Sequence, residues 1–133
     1  MGEVFLDSSA IYALADSRDL DHGAVRAVYA DSATRFVTHE LILVEVFSLI
    51  TKRLHKGAAL RVVAALHGSP RVEIVPVTPG LLSAGWDRCA RFSDKDWDWI
   101  DCVSFELMNQ RGLCEALSLD RHFVKAGFAA PLA

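Results

Sequence analysis

Apolar residues follow two alternating patterns along the chain. Short apolar runs, typical of buried β-strands, occur at 4–6, 35–38, 72–75 and 115–119. Longer stretches, in which apolar residues recur every three or four positions as in helices, occur at about 8–14, 22–30, 39–55, 58–67, 81–91 and 100–111. Strands that alternate with helices need crossover connections. We therefore predict an α/β fold with a central, mainly parallel sheet.

The ends of the predicted strands carry acidic residues. The first strand runs into Asp7 and the last into Asp120. Ligands of open α/β sheets bind beyond the carboxyl ends of the strands, so we expect these two carboxylates to lie close together. Each has a structural alternative, because Asp is also a preferred helix N-cap and turn residue.

Glu45 has the most unusual surroundings of the acidic residues. Its neighbours at helical spacing include Leu41, Ile42 and Leu49, with Ser48 as the polar exception. A buried carboxylate is strongly unfavourable unless it is paired, protonated or bound to a metal ion. This pattern favours a functional role, and an ion pair with a basic side chain is the alternative.

A third acidic group surrounds the start of the helix predicted at 100–111. Asp101 lies near its first turn, where an acid also interacts favourably with the helix dipole, and Asp98 is a competing candidate. Clustered carboxylates repel one another unless protons or cations hold them together. Oxygen ligands of this kind suit Mg²⁺ or Mn²⁺. We therefore predict a divalent-metal site; one such ion can activate a water, and a second can stabilise the leaving oxygen of a phosphodiester.

Composition limits the class of protein but does not indicate its function. The 133 residues, 52% of them hydrophobic, fit one globular domain spanning 1–133. The three cysteines show no zinc-site or disulfide spacing. The sequence contains neither a signal-peptide pattern nor an apolar stretch of membrane-spanning length, so we expect a cytoplasmic protein without membrane contact. The net charge of −3 neither favours nor excludes nucleic-acid binding.

Four segments, in order, resemble the motifs of the PIN-domain family, particularly the VapC-like toxins of bacterial type II toxin–antitoxin pairs. They are Val4–Leu14, Thr38–Val46, Asp96–Ser104, and Ala116–Phe123 with Gly127–Phe128. No single motif is specific, but the four together cover essentially the whole chain. The resemblance implies a single PIN domain, a three-layer sandwich whose central sheet has four to five strands flanked by helices.

The resemblance also implies a Mg²⁺- or Mn²⁺-dependent endoribonuclease. By position in the motifs, the catalytic and metal-binding acids are Asp7, Glu45, Asp101 and Asp120. Asp98 stands at a position where it either adds a ligand or only lowers the local potential. Substrate-positioning roles fall to Ser9, Arg121 and His122. The partners implied are RNA, a small antitoxin protein and a second copy of the chain in a homodimer.

The sequence does not exclude other functional classes. Carboxylates and metal also serve DNA nucleases, phosphatases and PIN-type nucleases of RNA processing. A non-catalytic module that retains a metal or a basic partner is a further alternative. Basic residues cluster at one predicted helix end, where they either contact RNA phosphates or form a solvated helix end favoured by the dipole. They are Lys52, Arg53, His55 and Lys56, with Arg61 one turn further.

Overall fold

The structure, a computed structural model, describes residues 2–133, which contain four strands and seven helices. The strands are β1 (Gly2–Leu6), β2 (Thr34–His39), β3 (Val72–Val75) and β4 (Ala116–Leu117). The helices are α1 (Ser8–Ala15), α2 (His22–Tyr29), α3 (Glu40–Arg53), α4 (Lys56–Gly68), α5 (Pro79–Arg91), α6 (Trp99–Arg111) and α7 (His122–Lys125). No helix in this part of the chain has the length and apolar character needed to cross a membrane.

The strands form one parallel sheet in the order β3-β2-β1-β4. The chain moves outward from β1 to β2 and β3, then returns past β1 to place β4 on the other side. Since such crossovers are right-handed, α1 to α4 cover one face, and α5 and α6 cover the other. Contacts of α1 with α3, and of α5 with α6, agree with this arrangement. The predicted α/β sandwich with a parallel sheet of at least four strands is confirmed.

The reversal of direction creates a crevice between β1 and β4. At such a switch point the loops that leave the two strands turn to opposite faces of the sheet, which opens a binding site at their carboxyl ends. Asp7 follows β1 directly, and its backbone N–H donates to the carbonyl of Leu117, the last residue of β4. The topology therefore places Asp7 at the point where a ligand site is expected.

Apolar side chains of the central strands form the core on both faces of the sheet. Phe5 and Phe36 are almost completely buried. Phe123 of α7 packs against Phe5 and Phe105, with ring centroids 5.7 and 5.2 Å apart. Helices α5 and α6 approach closely at Gly85, where an added Cβ would lie 2.5 Å from a methyl carbon of Val103. This packing fixes α6, which carries Asp101.

The last part of the chain departs most from the expected elements. The strand predicted at 115–119 pairs as β4 over only two residues, because the Ser118 hydroxyl accepts the backbone N–H of Asp120 and turns the chain. Helix α7 was not predicted, since four residues are too few for a helical periodicity to be visible. This early turn is what directs Asp120 and His122 toward β1.

Candidate metal centre

A cleft of about 540 Å³ lies at the carboxyl ends of β1 and β4. Its walls come from the β1–α1 connection, helices α3 and α6, and the segment between β4 and α7. Six acidic residues line it: Asp7, Asp19, Glu45, Asp98, Asp101 and Asp120. The four acids predicted from the motifs therefore converge on one cleft. Asp19, in the α1–α2 loop, was missed because nothing in its local pattern distinguishes it from a surface turn residue.

Asp7 is the most deeply buried of these acids, with 6% of its surface exposed. Its Oδ2 accepts hydrogen bonds from the hydroxyls of Ser118 (2.8 Å) and Ser9 (3.0 Å). Burial raises the pKa of Asp7 despite these donors. Although Asp7 occupies the N-cap position of α1, its side chain makes no capping hydrogen bond, so the capping alternative is wrong.

Glu45 reaches the cleft from the middle of α3. It is half-buried, and its Oε1 accepts a hydrogen bond of 2.6 Å from the Ser8 hydroxyl. Burial raises its pKa, and the negative charge of Asp7 adds to the shift. No salt bridge forms between Glu45 and a basic side chain within residues 2–133. The sequence predicts that apolar neighbours enclose Glu45. They do so on one side only, since the adjacent Val44 is 63% exposed.

Asp98 and Asp101 form a capping box at the start of α6. Asp98 Oδ1 accepts the Asp101 backbone N–H (2.8 Å), and Asp101 Oδ2 accepts the Asp98 backbone N–H (3.1 Å). Burial raises the pKa of Asp101 to about 7, with a further contribution from the charge of Asp98. Asp98 is exposed and holds the helix N-cap, whereas Asp101 lies deeper in the cleft.

Asp120 and His122 complete the cluster on the side of β4. His122 Nδ1 lies 3.0 Å from Asp101 Oδ2 and 3.3 Å from Asp120 Oδ2. The His122 backbone N–H also donates to Asp120 Oδ1. Asp101, Asp120 and His122 each place one potential metal-ligand atom within 4.8 Å of the others. Asp7 and Glu45 line the same cleft but are not part of this set.

Serine hydroxyls orient the acids on the β1 side. Ser9 accepts the backbone N–H of Leu119 at 3.0 Å while it donates to Asp7, so it links α1 to the end of β4. This geometry orients Asp7, and the substrate-positioning role predicted for Ser9 stays a prediction. Ser8 and Ser118 were missed as site residues. A hydroxyl residue within the last apolar run, two positions before Asp120, was the available signal for Ser118.

Other predicted residues divide between the cleft and the surface. Lys52 and Arg53 line the cleft, whereas His55, Lys56 and Arg121 do not. His122 faces the acids, and successive helical residues point about 100° apart, so its neighbour Arg121 is exposed elsewhere. Arg121 therefore lies outside the cleft, and the prediction that it positions substrate stays a prediction.

The tryptophans near Asp98 serve in packing. Trp97 is 8% exposed and packs between Phe92 and Phe105, with ring centroids 5.3 and 5.2 Å away. Trp99 donates its indole N–H to the Leu82 carbonyl and meets Trp86 edge-on at 4.9 Å. Neither indole lines the cleft.

The donor set fits a divalent cation. The donors that orient Asp7 and Glu45 are neutral hydroxyls, and burial raises the pKa of Asp7, Glu45 and Asp101, so an ionised cluster is electrostatically costly on its own. A hard cation relieves this repulsion. Carboxylate oxygens are the ligands that Mg²⁺ and Mn²⁺ prefer.

Comparison with known proteins gives the class of this protein. The PIN domain family model matches residues 4–129, so the chain belongs to the PIN domain family. The expected resemblance is thereby confirmed.

Particular relatives narrow the comparison further. The chain is 29% identical over 125 residues to the 23S rRNA-specific endonuclease VapC20 from two strains of Mycobacterium tuberculosis. That match covers 94% of this chain and 95% of the relative. The crystal structure of Mycobacterium tuberculosis VapC20, a Sarcin-Ricin loop cleaving toxin, superposes with a TM-score of 0.89. The two chains are 28% identical, and the superposition covers 95% of this chain and 96% of that structure.

Proposed function

We propose that this protein is a divalent-metal-dependent endoribonuclease that acts as the toxin of a toxin–antitoxin pair. The observation that carries the proposal is the convergence of Asp7, Glu45, Asp101 and Asp120 on one cleft at the switch point of the sheet. Each acid comes from a different part of the chain. The near full-length similarity to an RNA-cleaving toxin supports the same reading.

The four acids are proposed to hold the cation, with Asp98 at the rim of the cleft. When bound, Mg²⁺ or Mn²⁺ supplies a Lewis acid that neutralises charge on the phosphodiester and activates water for attack. Hydrogen bonds from Ser9 and Ser118 fix the orientation of the Asp7 carboxylate, and Ser8 fixes Glu45. Such outer contacts keep ligands in place before substrate arrives.

His122 has a positioning role in this proposal. Its Nδ1 lies between carboxylate oxygens of Asp101 and Asp120, so a proton on that nitrogen links the two acids. The link holds the β4–α7 segment against the start of α6. His122 thereby sets the distance between two proposed ligands that are far apart in the sequence.

RNA is proposed as the substrate because the relatives cleave RNA, since carboxylates and a cation alone do not distinguish RNA from other phosphodiesters. The Sarcin-Ricin loop, the target stated for VapC20, is the first RNA to test. We further propose that residues 1–133 act as one cytoplasmic PIN domain that pairs with a small antitoxin and forms a homodimer. Exposed Val44 and Leu60, on α3 and α4, provide apolar surface for such contacts.

The test compares four substrates with one enzyme preparation. A Sarcin-Ricin loop RNA, an unrelated structured RNA, a DNA of the same sequence and a small phosphate ester are incubated with Mg²⁺, with Mn²⁺ and with EDTA. We expect cleavage of RNA only, and only with metal. Asp7→Asn and Asp101→Asn should abolish it while circular dichroism shows a folded protein.

Each alternative predicts a different result. Cleavage of DNA or of the ester at comparable rates would identify another phosphoryl-transfer enzyme. Metal binding without cleavage of any substrate would favour a non-catalytic module. Undiminished RNA cleavage by both Asn variants would show that these carboxylates are not the active site.

A further inference from the structure

One face of α3 forms a wall of the cleft whose charge changes along its length. Glu45, Ser48, Leu49, Lys52 and Arg53 all line the cleft. Their spacing of three, four, seven and eight residues from Glu45 places them on one side of the helix. The wall therefore begins with a proposed metal ligand and ends with two cations.

These two cations are not used to balance the acids. No salt bridge joins Lys52 or Arg53 to a carboxylate within the described residues, although six acids line the same cleft. A position in the last turn of a helix explains why basic residues are tolerated there. It does not explain why both lie within the cleft, while nearby His55 and Lys56 lie outside it.

Arg53 lies over an aromatic ring, and its guanidinium group forms no ion pair among the described residues. Its guanidinium carbon lies 5.1 Å from the centre of the Tyr12 ring, within the range of a cation–π interaction. The Tyr12 hydroxyl donates to Asp16 Oδ2 at 2.9 Å, and this hydrogen bond lowers the pKa of Asp16. Tyr12 itself is 7% exposed, so the ring is a fixed support. A guanidinium group in such a contact can still donate N–H hydrogen bonds from its edge, in the geometry that suits phosphate oxygens.

We propose that Lys52 and Arg53 form a phosphate subsite that binds an RNA nucleotide flanking the cleaved bond. Lys52 lies seven residues beyond Glu45, about 10 Å along the helix axis at 1.5 Å per residue, so the two cations stand farther along the wall than the acid. We therefore assign them to a neighbouring phosphate of the same strand, and the acids to the phosphate of the cleaved bond. The subsite rests on the proposed ribonuclease function and adds to it the direction in which the strand leaves the acids, along α3 toward its C-terminal end.

The subsite also explains how a cleft lined by acidic residues can bind RNA. An acidic cluster repels the phosphate backbone of RNA, and phosphate contacts provide most of the affinity and positioning of a nucleic acid. Cations on the wall beyond the acids supply this affinity without entering the metal-binding set.

The test separates binding from cleavage. A fluorescently labelled single-stranded RNA is titrated with wild type, Arg53→Gln, Lys52→Gln and the double variant in Ca²⁺, and anisotropy gives Kd at several KCl concentrations. We expect the double variant to raise Kd about tenfold or more, and to reduce the slope of log Kd against log[KCl] by about 0.7 for each lost phosphate contact. In Mg²⁺, KM for RNA should rise similarly, while kcat changes by less than about threefold.

Arg61→Gln is the matched control, because Arg61 is an exposed arginine on the next helix, outside the cleft. It should leave Kd and the salt slope unchanged. Tyr12→Leu should weaken binding partway toward Arg53→Gln, whereas Tyr12→Phe, which keeps the ring, should stay close to wild type.

Three results would overturn the subsite. They are an unchanged Kd and salt slope in a folded double variant, an equal loss in Arg61→Gln, and a loss in kcat alone. With an unchanged Kd and salt slope, an acidic protein segment would remain as the candidate ligand of Lys52 and Arg53. Because the anisotropy measurement needs no cleavage, absence of nuclease activity in wild type would refute the proposed function without deciding the subsite.

Discussion

Two buried ionisable side chains stand at the carboxyl ends of neighbouring parallel strands, and their surroundings differ. Asp7 follows β1, and His39 ends β2. Both ring nitrogens of His39 are hydrogen-bonded: Nδ1 accepts the Ile42 backbone N–H (3.4 Å), and Nε2 donates to the Ser104 hydroxyl (2.8 Å). Ser104 donates in turn to the Ile100 carbonyl. The neutral imidazole is thus fully satisfied, and it ties α3 to α6.

Asp7 has neutral and acidic neighbours instead. Hydroxyls of Ser9 and Ser118 donate to it, and the charge of Asp120 opposes its ionisation. No salt bridge joins Asp7 to a basic side chain in the described part of the chain. Burial alone is therefore not a sign of function. A buried group whose bonds are complete stabilises the fold, whereas a buried charge supported only by neutral donors is suited to a cation.

The largest expected effect is that of Asp7→Asn on catalysis. We expect RNA cleavage to fall more than about 100-fold, since even outer contacts of metal ligands are worth about 10- to 100-fold. Without metal, the same change removes a charge from a repulsive cluster, so the melting temperature should rise by roughly 4 °C, corresponding to about 1 kcal/mol in a domain of this size. Single-turnover cleavage and thermal melts measure the two quantities. If Asp7→Asn is active and less stable than wild type, Asp7 would serve the fold as His39 does, and the contrast between the two residues would be lost.

The stability of the protein below pH 6.5 should depend on His39. Burial lowers the pKa of His39 from 6.5 to about 4, so between these values the unfolded chain binds more protons than the folded one. His39 therefore contributes its full stability above about pH 6.5 and loses it as the pH falls toward 4. Urea unfolding should show that wild type loses up to about 3 kcal/mol more than His39→Leu across this window. Parallel pH profiles for the two proteins would contradict the assigned role.

Near neutral pH, His39→Leu should lower the stability of the protein and leave RNA cleavage almost unchanged. The change removes a helix cap and the hydrogen bond to Ser104, and we expect a loss of about 2 kcal/mol in the free energy of unfolding. Cleavage per folded molecule, measured well below the melting temperature, should stay within about threefold of wild type, a barrier change under about 0.7 kcal/mol. A loss of cleavage comparable with that of Asp7→Asn would place His39 in the active site.

A smaller effect is expected for Ser118→Ala. This variant removes a donor to Asp7 and the acceptor for the Asp120 backbone N–H. We expect about a tenfold fall in cleavage, at the lower end of the range for outer contacts of a metal site. Raising the Mg²⁺ concentration should restore part of the activity, because the defect lies in ligand orientation. Ser118→Thr, which keeps the hydroxyl, is the control, and an equal loss in both variants would point to packing.

The sequence predicts the fold well because the alternation of apolar runs and helical periodicities survives in nearly every element. Strand 72–75 is found as predicted, and the predicted helices shift by only a few residues. The exceptions, β4 and α7, are too short for periodicity and depend on a side-chain hydrogen bond of Ser118. Such tertiary contacts leave no periodic signal.

The residues of the candidate site differ in how clearly the sequence predicts them. Asp7 and Asp120 follow from strand ends and Glu45 from its apolar neighbours, whereas Asp101 depends on the family pattern. Position in sequence cannot separate Asp101 from Asp98, because the two form one capping box and differ only in how deeply each enters the cleft. The roles of His39 and Ser118 are not predictable from the local sequence, since their partners lie 65 and 111 residues away.

Titration with Mn²⁺ tests the central claim most directly, because it measures cation binding by the acid cluster without reference to any substrate. The free Mn²⁺ signal in electron paramagnetic resonance gives the affinity for wild type, Asp7→Asn, Asp101→Asn and His39→Leu. We predict saturable binding that is unchanged in His39→Leu and at least about tenfold weaker in both Asn variants. Equal affinities in all four proteins, or loss of binding in His39→Leu alone, would contradict the account.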